Sequence, residues 1–213
     1  MVNKHDGLQV KTSVKDQALI EARREQIVQA GIQLFKEKGF HRATTRELAK
    51  LAGFSIGTLY EYIRTKEDVL FLVCDNIYEK VMNRLGSFPF ESGDIEHLKE
   101  VIRQYYLLID SMQAEFTIMY QETKSLPKEE MRYVLEKEKE MAAAFESIIK
   151  SCMNAGALPF NNEGAYLAAH QIIILGQAWA FRKWALHSVY SIDEYIAQQT
   201  NLILNGILHF QQS

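Results

Sequence analysis

The sequence predicts an all-α fold, and three observations carry that reading. Apolar residues recur at helical spacing nearly throughout the 213 residues, only 3 prolines interrupt them, and no stretch alternates for long enough to form a strand. The predicted organisation is an N-terminal three-helix unit containing a helix-turn-helix, followed by a larger C-terminal helical bundle. In residue ranges, this gives an N-terminal arm over 1–21, a helix-turn-helix domain over 22–66 and a helical body over 67–213.

The elements follow in order. Ile27, Ala30, Gly31, Leu34 and Phe35 share one face of a helix that starts near Ala22 and stops at Gly39, a residue type suited to a helix C-terminus. Thr44-Thr45-Arg46-Glu47 is a capping-box pattern, and it opens a short helix from Thr45 to Ala52. Gly53 permits a sharp turn, and Ser55 caps a third helix from Ile56 to Ile63. Thr65-Lys66-Glu67-Asp68 starts a helix that runs to about Leu85. The segment from Gly86 to Asp94 reads as a connection. Further helices are expected at about 94–111, 114–125, 128–154, 162–187 and 192–210, the last opened by the box Ser191-Ile192-Asp193-Glu194.

Composition narrows the function classes. With 47% hydrophobic and 24% charged residues the chain can build a core, and a net charge of -3 excludes a uniformly basic nucleic-acid coat. Charge is nevertheless divided, at +3 over residues 1–70 and -6 over 71–213, which fits a DNA-reading head on a body that does not touch DNA. Cys74 and Cys152 are far apart and lack CxxC spacing, so neither a disulfide scaffold nor a cysteine zinc site is expected. Met1 to Lys15 is polar and lacks the apolar region of a signal peptide. The most apolar stretch, Ala165 to Leu186, contains His170, Gln171, Gln177, Arg182 and Lys183, so it reads as a buried helix and not a membrane span. A cytoplasmic protein with no membrane partner is the expectation.

Thr44 to Lys66 carries the functional signal. Ala49 is small where two short helices cross, Gly53 makes the turn, and Leu48, Ala52, Leu59 and Ile63 supply apolar contacts to the first helix. Thr45 stands at a helix start, where backbone N–H groups and the helix dipole favour a phosphate. Ser55 and Thr58 can donate to a phosphate or a base edge, and Gly57 allows close approach. The hydroxyls of Tyr60 and Tyr62 can reach flanking phosphates, although either ring can serve as core instead. Lys66 is placed as a phosphate clamp.

These residues resemble the DNA-binding signature of the tetracycline-repressor (TetR) family of bacterial regulators. The match runs through Thr45, Leu48, Ala49, Ala52, Gly53, Ser55, Gly57, Thr58, Leu59, Tyr60, Tyr62, Lys66, Glu67, Asp68, Val69 and Leu70, and Ile63 stands where Phe is usual. The resemblance implies that Thr45, Ser55, Ile56, Gly57, Thr58, Tyr60, Tyr62 and Lys66 face DNA, with Arg46 and Glu61 as additions. Ile56, Thr58 and Glu61 are the candidates for base readout, and the others position the protein. It also implies a body for ligand binding and dimerisation. The expected function is that of a repressor, released from a pseudo-palindromic double-stranded DNA operator by a small hydrophobic or amphipathic effector. FTIMYQETKSLP (from Phe116) and WAFRKW (from Trp179) are similar to segments of regulators of fatty-acid or acyl-CoA metabolism.

Other chemistry is weighed against this reading. Gly53-Phe54-Ser55-Ile56-Gly57 matches a hydrolase nucleophile elbow, but that motif needs a preceding strand. His5, His41, His97, His170, His187 and His209 form neither HxxxH nor HExxH, and no Walker or dinucleotide fingerprint occurs, so no catalytic residue, metal or cofactor is expected.

In the body, Tyr105, Ile109, Met112, Phe116, Met119, Tyr120, Met141 and Phe145 are core by spacing and candidate walls of an effector pocket. His170, Ile174 and Gln177 on one helix, and Glu138 on an otherwise apolar stripe, are candidates for its polar end. The alternatives are that His170 and Gln177 bond neighbouring helices and that Glu138 is a solvated or ion-paired edge. Ala165, Ala169, Gly176 and Ala180 give one helix a small-residue side, and Ile196, Ile203, Gly206 and Phe210 give the last helix an apolar face. They predict a two-fold homodimer with a four-helix interface. The alternative is packing within one subunit.

Overall fold

The structure is a computed structural model that describes residues 10–87, 93–159 and 161–209. Its helices are α1 (Gln17–Lys38), α2 (Thr45–Leu51), α3 (Ile56–Tyr62), α4 (Lys66–Gly86), α5 (Ile95–Ser111), α6 (Gln113–Glu122), α7 (Lys128–Asn154), α8 (Asn162–Phe181), α9 (Lys183–Leu186) and α10 (Ile192–His209), with a 3₁₀ turn at Thr123–Ser125. No strand occurs among the described residues. No helix among them is long and apolar enough to cross a membrane.

Local chemistry explains most boundaries. Thr44 and Glu47 form the expected reciprocal capping box at α2. Ser191 and Glu194 repeat it at α10, where the Ser191 amide donates to the Glu194 carboxylate at 2.8 Å and the Glu194 amide donates back to the Ser191 hydroxyl at 3.3 Å. Three ends differ from expectation. Helix α1 begins at Gln17 and not near Ala22, because the Asp16 carboxylate accepts from the Leu19 amide at 3.1 Å and caps the helix five residues earlier. The expected 114–125 helix is split into α6 and the 3₁₀ turn, and the expected 162–187 helix is broken at Arg182 into α8 and α9.

The chain divides into two compact units, one of residues up to 77 with 117–136 and the other of residues 78–116 with 137 onward. The first unit holds α1 to α3. Ile27, Leu59, Ile63, Val69 and Leu70 are all fully buried in its core. Each such side chain contributes roughly 1.5–3 kcal/mol of transfer free energy. The turn between α2 and α3 needs Gly53, whose φ of 76° lies in the left-handed region.

The second unit is built on α5, against which α8 and α10 pack. Tyr105, Tyr106, Ile109, Phe145 and Ile172 are fully buried. Three inward-facing polar tips have partners: the Tyr106 hydroxyl donates to the Ile172 carbonyl at 3.2 Å, the Tyr195 hydroxyl to the Leu175 carbonyl at 2.7 Å, and the Trp179 indole to Asp110 at 2.7 Å.

This packing corrects the predicted dimer seam. Ala165, Ala169, Gly176 and Ala180 are buried inside their own unit, as are Ile196 and Ile203. Their small size serves the crossing of α8 over α5, since a Cβ on Gly176 would stand 2.8 Å from Ile109 Cδ1, 2.8 Å from Tyr106 Cε1 and 2.9 Å from Tyr105 Cε1. Any residue with a side chain would force these neighbours to shift. Gly206 lies in α10 where side-chain surroundings are not described, and Phe210 lies outside the described residues. The side of α8 left open carries Tyr166, Leu167 and Ile174.

Gly176→Ala is expected to destabilise the fold by about 1–3 kcal/mol through overpacking. Urea unfolding followed by circular dichroism should show a lower midpoint with an unchanged m-value. A wild-type midpoint combined with a weaker self-association would return Gly176 to a partner interface.

Candidate nucleic-acid interface and effector region

Helix α3 has only seven residues, so its ends decide whether it forms. At its start the Ser55 hydroxyl accepts from the Thr58 amide at 3.0 Å and pairs with the Thr58 hydroxyl at 2.9 Å. Leu59 and Ile63 anchor the opposite side in the core. The outward side presents Ile56, Gly57, Tyr60 and Glu61. Tyr60 is 50% exposed, and its hydroxyl lies 3.1 Å from the Thr45 hydroxyl, so the starts of α2 and the middle of α3 share one polar edge. Exposed Arg46 extends that edge. A Cβ on Gly57 would meet nothing closer than the Ser55 hydroxyl at 3.7 Å. A helical glycine costs about 1 kcal/mol relative to alanine, and nothing within the chain demands it here.

Two predicted DNA residues are placed differently. Tyr62 is 4% exposed, with its ring 6.4 Å from that of Phe54, so its ring is the core aromatic of the pair. The Lys66 ammonium donates to the carbonyls of Phe40 and His41 at 3.0 Å each and of Ala43 at 3.4 Å. An ammonium has three N–H donors, so all three are engaged in closing the α1–α2 connection. The same group sits 4.6 Å from the centre of the Phe40 ring. In the structure Lys66 clamps the chain to itself.

Sequence reasoning missed the groups that hold the other end of α3. The Thr12 hydroxyl and Ser13 amide donate to the Glu61 carbonyl at 2.7 and 3.2 Å, and Arg24 donates to the Tyr62 carbonyl at 3.4 Å. Burial pushes the Arg24 guanidinium below its ordinary pKa, while Asp68 opposes the shift. No local pattern announces bonds across 49 residues.

The Ser55 hydroxyl of the apparent nucleophile elbow is a helix cap, and it follows a helix, α2, and not a strand. No base is bonded to it; its partners are the amide and hydroxyl of Thr58.

Within the second unit, Glu138 accepts from the Tyr78 hydroxyl and from the Gln177 amide, each at 3.3 Å. Gln177 therefore bonds a neighbouring helix, and Glu138 is tied inward instead of standing as a free edge. The fully buried Tyr105 hydroxyl lies near the Gln177 side chain without a well-formed hydrogen bond. Burial pushes its pKa upward, the nearby Glu138 charge adds to the shift, and Gln177 opposes it. Ile109, Met112, Phe116, Met141 and Phe145 are buried in the same unit. Met119 is buried in the first unit and Tyr120 is exposed there.

The expectation that His170 and Ile174 line this region is corrected. Ile174 is 47% exposed, and the half-buried His170 ring lies 4.5 Å from that of exposed Tyr166, on the open side of α8. An open recess of about 450 Å³ between α5 and α10 is lined by Lys99, Arg103, Asp193 and Thr200 among others, and by none of the predicted pocket residues.

Comparison with known proteins adds the following. The family model described as bacterial regulatory proteins, tetR family, matches residues 27–73, and that of the tetracyclin repressor-like C-terminal domain matches 91–181. The HTH-type transcriptional regulator HbdR of Aromatoleum sp. (strain CIB) is 30% identical over 202 residues, covering 93% of this chain and 86% of HbdR. Among solved structures, a tetR-family regulatory protein from Rhodococcus RHA1 superposes with a TM-score of 0.77 at 23% identity, covering 87% of this chain and 96% of that one. AibR in complex with isovaleryl coenzyme A and operator DNA superposes with a TM-score of 0.70 at 16% identity, covering 85% and 98%. At these identities the structural matches establish the fold.

Lys66→Met should leave three carbonyls without their donor and cost about 1–3 kcal/mol of stability, read as a lower melting temperature. The salt dependence of DNA binding should stay at the wild-type slope. A slope reduced by about 0.9 with unchanged stability would restore a phosphate contact to Lys66.

Proposed function

The chain belongs to the TetR family of bacterial regulatory proteins, ligand-responsive regulators of transcription that bind DNA, and on that premise we propose that it is a repressor released by an amphipathic effector of the acyl-CoA type. The observation that carries the DNA reading is the outward side of α3. Ile56, Gly57, Tyr60 and Glu61 stand exposed on a capped helix whose other side is fully buried. Such a helix can enter a major groove without disturbing its core. Ile56 and Glu61 then meet base edges, joined by Thr58 at the partly exposed helix start, while Thr45, Arg46, Ser55 and Tyr60 meet phosphates.

A second copy of the chain is the proposed partner. One helix-turn-helix reads only a few base pairs, and two heads about 34–36 Å apart reach successive major grooves. Exposed Tyr166, Leu167 and Ile174 on α8, with exposed Leu202 on α10, supply the apolar surface for it.

The effector reading rests on the second unit. Glu138, Gln177, Tyr78 and Tyr105 bring a carboxylate, an amide and two phenols together among buried apolar side chains. A carboxylate repels a free fatty-acid headgroup, whereas a hydroxyl or amide on the effector can donate to it. AibR was solved with isovaleryl coenzyme A, an acyl thioester whose pantetheine arm carries such amides, and this supports the class.

Electrophoretic shift with the duplex upstream of the protein's own gene tests the proposal. Retardation that short-chain acyl-CoA thioesters such as isovaleryl coenzyme A relieve, and that Glu138→Gln makes less responsive, is the expected result. A shift that no thioester relieves would overturn the effector class. No shift at any protein concentration up to about 10 μM, far above the Kd usual for specific sites, would overturn the operator reading.

A further inference from the structure

Helix α3 ends in carbonyls that have no partner within the helix, a general property of helix C-termini. Here the chain ahead of α1 supplies the donors. Thr12 and Ser13 both bond the Glu61 carbonyl, and Arg24 bonds the carbonyls of Tyr62 and Val10 together. Val10 is itself buried, and the Val14 amide donates to the Thr12 hydroxyl at 3.2 Å, which closes a local turn. Residues 10–15 are therefore strapped along the C-terminal end of α3, independently of the Asp16 cap that starts α1.

The strap turns its donors inward and its charges outward. Lys11 and Lys15 are exposed on either side of Thr12 and Ser13. Thr12 and Ser13, which the two lysines flank in sequence, bond the carbonyl of exposed Glu61 at the last turn of α3, where a phosphate backbone would otherwise meet a like charge. At the same end of the head the Tyr62 ring is buried and the Lys66 ammonium is bonded to three carbonyls.

We propose that residues 10–15 form a DNA-contacting arm, in which Lys11 and Lys15 bind backbone phosphates of the duplex beside the groove that α3 occupies. The inference rests on the DNA-binding reading above and assigns it a further set of ligands. The strap preorganises the two ammonium groups, so their contact does not require ordering a free chain end.

The test uses the full-length protein and a mixed-sequence 40-base-pair duplex, because phosphate contacts are independent of sequence. Affinity is measured by fluorescence anisotropy from 50 to 300 mM KCl for four proteins: wild type, Lys11→Gln/Lys15→Gln, Lys11→Arg/Lys15→Arg, and Lys36→Gln/Lys128→Gln. The last pair removes the same charge from exposed positions outside the arm and α3. The glutamine arm variant should lose about 1.8 from the slope of log K against log salt for each bound subunit, at about 0.9 per phosphate. The arginine variant should keep the wild-type slope, and so should the control pair. Melting temperatures should match within each set, since the substituted lysines are exposed.

An unchanged slope in the glutamine arm variant would overturn the proposal and leave the strap a purely structural brace. An equal loss in the control pair would overturn it as well, by reducing the effect to net charge. Failure of the wild type to bind any duplex would instead sink the DNA-binding reading itself, and so is distinguishable from failure of the arm.

Discussion

A seven-residue helix cannot hold its own shape in water, and the first unit is arranged around that constraint. Its start is capped by Ser55, its buried side is fixed by Leu59 and Ile63, and its last carbonyls are filled by Thr12, Ser13 and Arg24. Asp68 completes the arrangement one turn further on, accepting from the amides of Arg64 and Thr65 at 2.7 and 3.3 Å. The Thr58 amide at the start and the Glu61 and Tyr62 carbonyls at the end are thus each met by a residue outside the helix. What remains unmet is the outward side, and that is the side available for recognition.

The second unit obeys a different constraint. Two helices approach at Gly176 more closely than a methyl group allows, and the rings of Tyr105 and Tyr106 fill the space on either side. Close packing of this kind leaves little tolerance for a polar atom without a partner. Tyr106, Tyr195 and Trp179 are satisfied, whereas the Tyr105 hydroxyl is not, and it stands near the Glu138 and Gln177 pair.

Much of this was legible in the sequence. The capping boxes at Thr44 and Ser191, the turn at Gly53 and the apolar periodicity of Ile27 to Phe35 depend on residues close together in the chain, and each has the expected structure. The misreadings share a cause. Tyr60 and Tyr62 are two residues apart on a short helix, and only the direction of packing decides which ring is buried. The small residues of α8 signal a close crossing equally well whether the crossing helix belongs to the same chain or to another. Lys66 has a long side chain whose reach to Phe40, His41 and Ala43 depends on how the head closes, 23 to 26 residues away in sequence. The strap at Thr12 has no local signature at all.

Gly57 separates two pressures that usually act together. Its missing side chain faces open space, so no packing constraint within the chain selects glycine there. Replacing it with alanine would favour the helix by intrinsic propensity. On the proposed DNA-binding reading, alleles at this codon would yield protein that escapes chaperones and proteases, accumulates at normal levels and fails only at the promoter. Screens that score abundance or solubility would pass them as benign, and only a transcriptional reporter would detect the lesion. The reverse holds at Gly176, where a lesion would surface first as lost protein. The same residue type thus marks a position governed by the genome in one place and by the core in the other.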